Sequence, residues 1–122
     1  MKKPSILIVD DEANIRTALE RWFQIRGFDA DQAADGFAAV EKCTAKSYDI
    51  ITMDLEMPGM DGVETIAQIK KIAPNTPIIV LTGFPRSGAN ALGNGAAKIL
   101  AKPMPLRELE SHVRGLIAEP AG

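Results

Sequence analysis

Residues 52–62, "TMDLEMPGMDG", follow the apolar pair Ile50-Ile51 and set acids and glycines around Pro58. A strand-forming run that ends on a carboxylate, Asp54, and then turns sharply is chemically unusual, because a buried carboxylate is costly unless something compensates it. Pro58, Gly59 and Gly62 have the chemistry of a turn. They lead the chain away from the strand and leave space beside Asp54.

Outward from this stretch the same grammar recurs. Residues 5–9 form a continuous Ile- and Val-rich run, as in a strand buried on both faces, and the run stops at Asp10-Asp11-Glu12. Ile15, Ala18, Leu19, Trp22 and Phe23 then repeat at helical spacing, which predicts a helix with Trp22 and Phe23 in the core and Gly27 as a left-handed cap. Residues 28–33 make a weaker strand, because aspartate and alanine have little β propensity, and belong near a sheet edge.

Asp35-Gly36 marks a turn, 37–45 a short helix and 48–53 the third strand. Val63, Ile66, Ala67 and Lys70 recur at helical spacing until "APNTP", 73–77, interrupts them. Residues 78–81 and 98–101 read as further strands. After "KPMP", 102–105, a helix carries Leu106, Leu109, Val113, Leu116 and Ile117 on one face. The segment from Gly83 to Gly95 holds four glycines and a proline. Each interior glycine costs a helix about 1 kcal/mol, so a short or mobile helix is expected there. The tail, 118–122, is expected to fray.

Strand and helix thus alternate five times, without repeat or linker. The expected fold is one α/β domain over 1–122, a doubly wound (βα)5 arrangement with a parallel five-stranded sheet between two helical layers. In such sheets the ligand crevice lies at the carboxyl ends of the strands, where the winding direction switches.

The composition agrees with one domain. A chain of 122 residues buries roughly two thirds of the surface it exposes when unfolded. A formal net charge of −2 offers no general attraction to nucleic acid or anionic lipid. The run 6–9 is too short for a signal-peptide core, and no run is long enough to span a membrane. A cytoplasmic protein is expected. Cys43 is the single cysteine, read as a small buried apolar residue in a reducing compartment.

Four of the five predicted strands end in reactive side chains: Asp10, Asp11 and Glu12, then Asp54, then Thr82, then Lys102. In a parallel sheet these ends share one edge. Singly each has a structural explanation: Asp11 as a helix cap, Asp54 as a turn residue, Thr82 as a strand end, Lys102 as a solvated charge. Jointly they do not. Two carboxylates 4 Å apart repel by about 4 kcal/mol at an effective dielectric near 20, so three need a compensating cation. Lys102 supplies one charge, and a hard divalent ion bound by oxygen alone suits magnesium better than zinc. The single histidine, His112, is read as a surface residue of the last helix. A carboxylate beside magnesium, an ammonium and a hydroxyl donor is equipped to accept a phosphoryl group.

"ILIVDDE", "DLEMPGMDG", "LTG" and "AKP", in this order and spacing, resemble the receiver domain of two-component response regulators over essentially the full chain. The resemblance implies the flavodoxin-like strand order 2-1-3-4-5. It implies Asp54 as phosphoacceptor, and Asp10, Asp11, Asp54 and the backbone carbonyl of Glu56 as ligands of Mg2+. Thr82, Gly83 and Lys102 become partners of the phosphoryl oxygens, and the peptide bond before Pro103 is expected to be cis. The phosphodonor would be a sensor histidine kinase or a histidine phosphotransfer protein, and the domain a signalling element rather than an enzyme, with only slow loss of its own phosphoryl group.

One position departs from the family. The residue three before the lysine, usually an aromatic switch, is Ile99. Switching is expected instead in the glycine-rich segment 83–95, ordered by Thr82 and Gly83. Glu56 and Phe84 are expected to flank the path of a hydrolytic water, and Ile15 and Ala18 to be either core or kinase-docking residues. The output surface is expected on the last two helices and the last strand, since no effector domain follows Gly122. The chain is alternatively a receiver from a longer regulator. A haloacid-dehalogenase-type phosphatase is a further alternative, but it places an aspartate where Glu56 stands and needs room for a cap domain. A flavodoxin-like flavin binder would find its phosphate repelled by Asp10, Asp11 and Glu12.

Overall fold

The computed structural model describes residues 3–56, 61–84 and 89–117. The turn at 57–60, the stretch 85–88 and the tail 118–122, each given a role above, lie outside the described residues. The elements run β1 (Ser5–Val9), α1 (Ala13–Ile25), β2 (Asp29–Ala33), α2 (Gly36–Ala45), β3 (Ile50–Asp54), α3 (Gly62–Ile72), β4 (Ile78–Thr82), α4 (Ala89–Gly93), β5 (Lys98–Ala101) and α5 (Leu106–Ile117). All pairings are parallel, in the order β2-β1-β3-β4-β5.

Alternation along the strands divides the core into two layers. Leu7, Val9, Ile51, Met53, Ile78 and Val80 face α2, α3 and α4, where Ala39, Cys43, Ile66, Ile69 and Ala91 complete the packing. Ile6, Ile8, Ile50, Ile79 and Leu81 face α1 and α5, against Leu19, Phe23, Leu109 and Val113. Burial on both faces is why these strands read as unbroken apolar runs. The edge strand β2 lacks that pattern: Asp29 is exposed, and Lys46 pairs with Asp29 at 3.0 Å and Asp31 at 3.1 Å.

The elements depart from the sequence reading in informative ways. Strand β3 begins at Ile50 rather than 48 and includes Asp54. Tyr48 is instead buried ahead of it, its hydroxyl donating to Asp31 Oδ2 at 2.7 Å. Asp35-Gly36 is more than a turn, since Asp35 caps α2 by accepting from Ala38 N–H at 2.8 Å and Gly36 is the first helical residue. Phe23 is fully buried, but Trp22 is only half-buried, with Nε1 donating to Glu110 Oε1 at 3.0 Å. Ile15 packs half-buried on the core, while Ala18 is exposed. Helix α4 is five residues long, as its glycines led one to expect.

Two glycines do geometric work. Gly27 follows α1 at φ 95°, the left-handed cap expected of it. At Gly62 a Cβ would lie 2.9 Å from the Leu55 carbonyl oxygen, so only glycine lets α3 start this close to the residue after Asp54.

Candidate functional site

The four strand ends meet at the carboxyl edge of the sheet. Val9 pairs with Met53, Asp54 with Leu81, and Thr82 with Ala101, which brings Asp10, Asp54, Thr82 and Lys102 to one level. The bond from Lys102 N–H to the Thr82 carbonyl, 2.8 Å, ties the last two strand ends together. The peptide bond between Lys102 and Pro103 is cis.

Carboxylate oxygens of Asp10, Asp11 and Asp54 lie within 4.8 Å of one another. Asp10 and Asp54 are 2% and 3% exposed, whereas Asp11 faces solvent. Asp11 does not cap α1. The N-cap is Glu12, whose side chain makes no cap bond and whose N–H donates to Asp10 Oδ1 at 2.9 Å. Lys102 Nζ reaches Asp54 Oδ2 at 3.2 Å and Asp10 Oδ2 at 3.5 Å. Burial works against the Lys102 ammonium, but the charges of Asp10 and Asp54 outweigh it and hold its pKa above the ordinary value.

Burial pushes the Asp54 carboxyl above its ordinary pKa; the Glu56 N–H, at 3.0 Å from Oδ1, and Lys102 only partly offset that. Burial thus disfavours the Asp54 carboxylate charge, and further positive charge beside it would favour it. The donor set is oxygen only and converges within ligand reach, which fits a small hard cation. Neither soft candidate joins it. Cys43 is buried on α2, its thiol pushed up to about 11 by burial. His112 is half-buried rather than at the surface, and Lys98 Nζ donates to its Nδ1 at 2.9 Å.

Thr82 is fully buried at the end of β4. Its hydroxyl donates to Glu56 Oε2, and the Gly83 N–H donates to Glu56 Oε1 at 3.0 Å. Sequence reasoning gave Glu56 a backbone role and a place beside a hydrolytic water, and missed this side-chain grip. It also missed Arg16, whose Nη1 donates to the Asp10 carbonyl at 2.9 Å and whose Nε donates to Gln32. No periodic pattern singles out either residue. Ile99 is half-buried against the layer formed by α2, α3 and α4.

A five-stranded parallel sheet of this order, with acids at its carboxyl edge, defines the flavodoxin-like class of α/β proteins. Comparison with known proteins narrows the class. Residues 6–114 match the response regulator receiver domain. Sporulation initiation phosphotransferase F of Bacillus subtilis is 33% identical over 116 residues, covering 93% of this chain and 94% of that protein. The transcriptional regulatory protein PrrA of Mycobacterium leprae is 32% identical over 96% of this chain but 51% of its own length. The chain spans about half the length of the transcriptional regulators it matches. Among solved structures, the response regulator TrrA of Thermotoga maritima in complex with Mg(2+)-BeF is 35% identical, covers 93% of this chain and 98% of that one, and superposes with a TM-score of 0.83. The chain belongs to the response regulator receiver domain family of two-component systems.

Proposed function

We propose that Asp54 is the phosphoacceptor of this receiver and that a phosphohistidine, on a sensor histidine kinase or a histidine phosphotransfer protein, is the donor. An Asp54 carboxylate oxygen attacks phosphorus, the P–N bond breaks, and the departing imidazole regains its nitrogen lone pair. The product is an acyl phosphate on Asp54. The observation that carries this reading is the position of Asp54: buried at a strand end, 3.2 Å from Lys102 and within 4.8 Å of two further carboxylates.

Each residue has a part in that step. Lys102 neutralises charge on the transferring oxygens, and the Glu56 N–H holds Asp54 Oδ1 so that the other oxygen faces the donor. Thr82 and Gly83 supply a hydroxyl and an amide proton to the phosphoryl oxygens once the group is in place. Asp10, Asp11, Asp54 and the backbone carbonyl of Glu56 would hold Mg2+. When bound, the ion supplies the positive charge that three clustered carboxylates and a phosphoryl group lack.

The role is signalling, with no turnover beyond accepting and slowly losing the group. Output passes through protein contacts on the face of α4, β5 and α5, where Ile99 makes no aromatic switch available. We place the protein in the cytoplasm, in keeping with the reducing compartment that one buried thiol suits. Among the described residues no helix is long and apolar enough to cross a membrane.

Intact-mass spectrometry after incubation with a small-molecule phosphodonor tests the reading, with and without magnesium, on the wild type and on Asp54→Asn. One phosphoryl adduct that needs both magnesium and Asp54 is expected. An adduct on Asp54→Asn, or none on the wild type, would overturn it.

A further inference from the structure

We infer that the Glu56 carboxylate is a built-in competitor of the phosphoryl group, occupying in the unmodified protein the donors that the phosphoryl oxygens use. The inference rests on the reading of Thr82 and Gly83 as phosphoryl partners. Both Glu56 oxygens are engaged: Oε2 by the Thr82 hydroxyl, Oε1 by the Gly83 N–H at 3.0 Å. Two donors from adjacent residues thus grip one carboxylate in a bidentate manner, the arrangement that also suits an anionic phosphoryl edge.

The competition follows from counting protons. A threonine hydroxyl and a backbone amide each have one hydrogen to give. They cannot serve Glu56 and a phosphoryl oxygen at full strength together. The two anions also repel, so the carboxylate has to leave before the phosphoryl group is held. Leaving is easy to accommodate, because Glu56 is exposed. The backbone of the same residue holds Asp54 Oδ1 at 3.0 Å, so one residue links the acceptor to the donors that later grip its cargo.

The displacement has a path outward. The Phe84 N–H donates to Thr82 Oγ1 at 2.9 Å, so a hydroxyl that turns from Glu56 to a phosphoryl oxygen changes the bond of the next residue but one. Phe84 is 67% exposed. A signal can therefore leave the site along the backbone after β4, with no ring needed at Ile99.

The test is a titration of magnesium and beryllofluoride followed by NMR at the Gly83 and Phe84 amides, on the wild type, Glu56→Ala and Glu56→Asp. Beryllofluoride does not hydrolyse on this timescale, which separates the readout from any effect of Glu56 on a water. Aspartate keeps the charge but is one methylene too short to reach both donors while its N–H stays on Asp54. If the grip holds the competing state at about nine molecules in ten, both variants bind beryllofluoride about tenfold more tightly than the wild type. Without ligand, both also shift the Gly83 amide. Equal affinity in all three proteins would overturn the inference. So would wild-type affinity in Glu56→Asp with tighter binding only in Glu56→Ala, because charge repulsion alone then accounts for the gain. In both cases the receiver reading stands, since the wild type binds. Binding by none of the three would remove the phosphoacceptor reading itself, and the inference with it.

Discussion

Replacing Asp54 with asparagine should stabilise the protein in metal-free buffer, although it removes the proposed acceptor. At the 4.8 Å limit that encloses the Asp10, Asp11 and Asp54 oxygens, each pair repels by about 3.5 kcal/mol at an effective dielectric of ~20. The buried Asp10 acts on Asp54 on about that scale, while solvent around the exposed Asp11 screens the second pair. Lys102 at 3.2 Å returns about 5 kcal/mol on the same scale. Burial of Asp54 adds to the unfavourable side and the Glu56 N–H to the favourable one, in line with a carboxyl held above its ordinary pKa chiefly by burial.

Asparagine removes the charge, keeps the volume and keeps an oxygen for the Glu56 N–H. It also turns an NH2 group toward Lys102, and the exposure of Asp11 screens part of the repulsion. The expected net gain is about 1–2 kcal/mol, or about 4 °C in Tm per kcal/mol for a chain of this length. Because the folded-state pKa of Asp54 is raised, its contribution to stability is most favourable when protonated and declines as pH rises through that value. The variant's advantage is therefore present at neutral pH and vanishes below the ordinary carboxyl value of 3.8. Added magnesium should narrow the gap, since the wild type has one more ligand with which to gain from binding. The measurement is urea and thermal unfolding in EDTA and in magnesium. A variant no more stable than the wild type in EDTA at neutral pH would mean that Lys102 already neutralises the cluster, and would refute the account of a disfavoured charge at Asp54.

Two further outcomes follow from groups away from the site. Glu110, 4% exposed, accepts from Trp22 Nε1 at 3.0 Å, Arg26 Nε at 3.0 Å and Arg114 Nε at 2.7 Å, and so ties α1 to α5. Glu110→Gln should lose about 2 kcal/mol, a figure that allows for the half-exposed arginines. Burial opposes the charged form of Glu110, but Arg114, Arg26 and Trp22 outweigh it and depress its pKa, so this stability is present above the ordinary value of 4.5 and lost as pH falls through the folded one. Urea midpoints that differ as much in acid as at neutral pH would contradict this. Cys43, buried on α2 with its thiol pushed up to about 11, should resist iodoacetamide at neutral pH in the folded protein and react fully in denaturant; rapid native labelling would show that α2 opens readily.

Much of this molecule is legible in its residues alone. The unbroken runs at β1, β3 and β4 announce strands buried on both faces, and the periodic stripes of α1, α3 and α5 announce the layers that cover them. From alternation alone the strand ends have to share an edge, which gathers Asp10, Asp11, Asp54, Thr82 and Lys102 together. Boundaries are less legible. Tyr48 has the look of the start of β3, yet its hydroxyl is drawn to Asp31 and the ladder begins at Ile50.

The amino-acid sequence by itself determined the order of the elements, the layers of the core and the edge that carries the chemistry, because burial on both faces leaves unbroken apolar runs in strands and burial on one face leaves a period of 3.6 in helices. Only the tertiary structure decided what each polar group at that edge holds. Lys102 chose two carboxylates and raised its own pKa; Glu56 found Thr82 and Gly83, which lie 26 and 27 residues further along the chain. A hydrogen bond depends on separations of a few tenths of an ångström between segments distant in sequence. No local pattern records those distances, so what holds the Thr82 and Gly83 donors is identified only where the strand ends lie side by side.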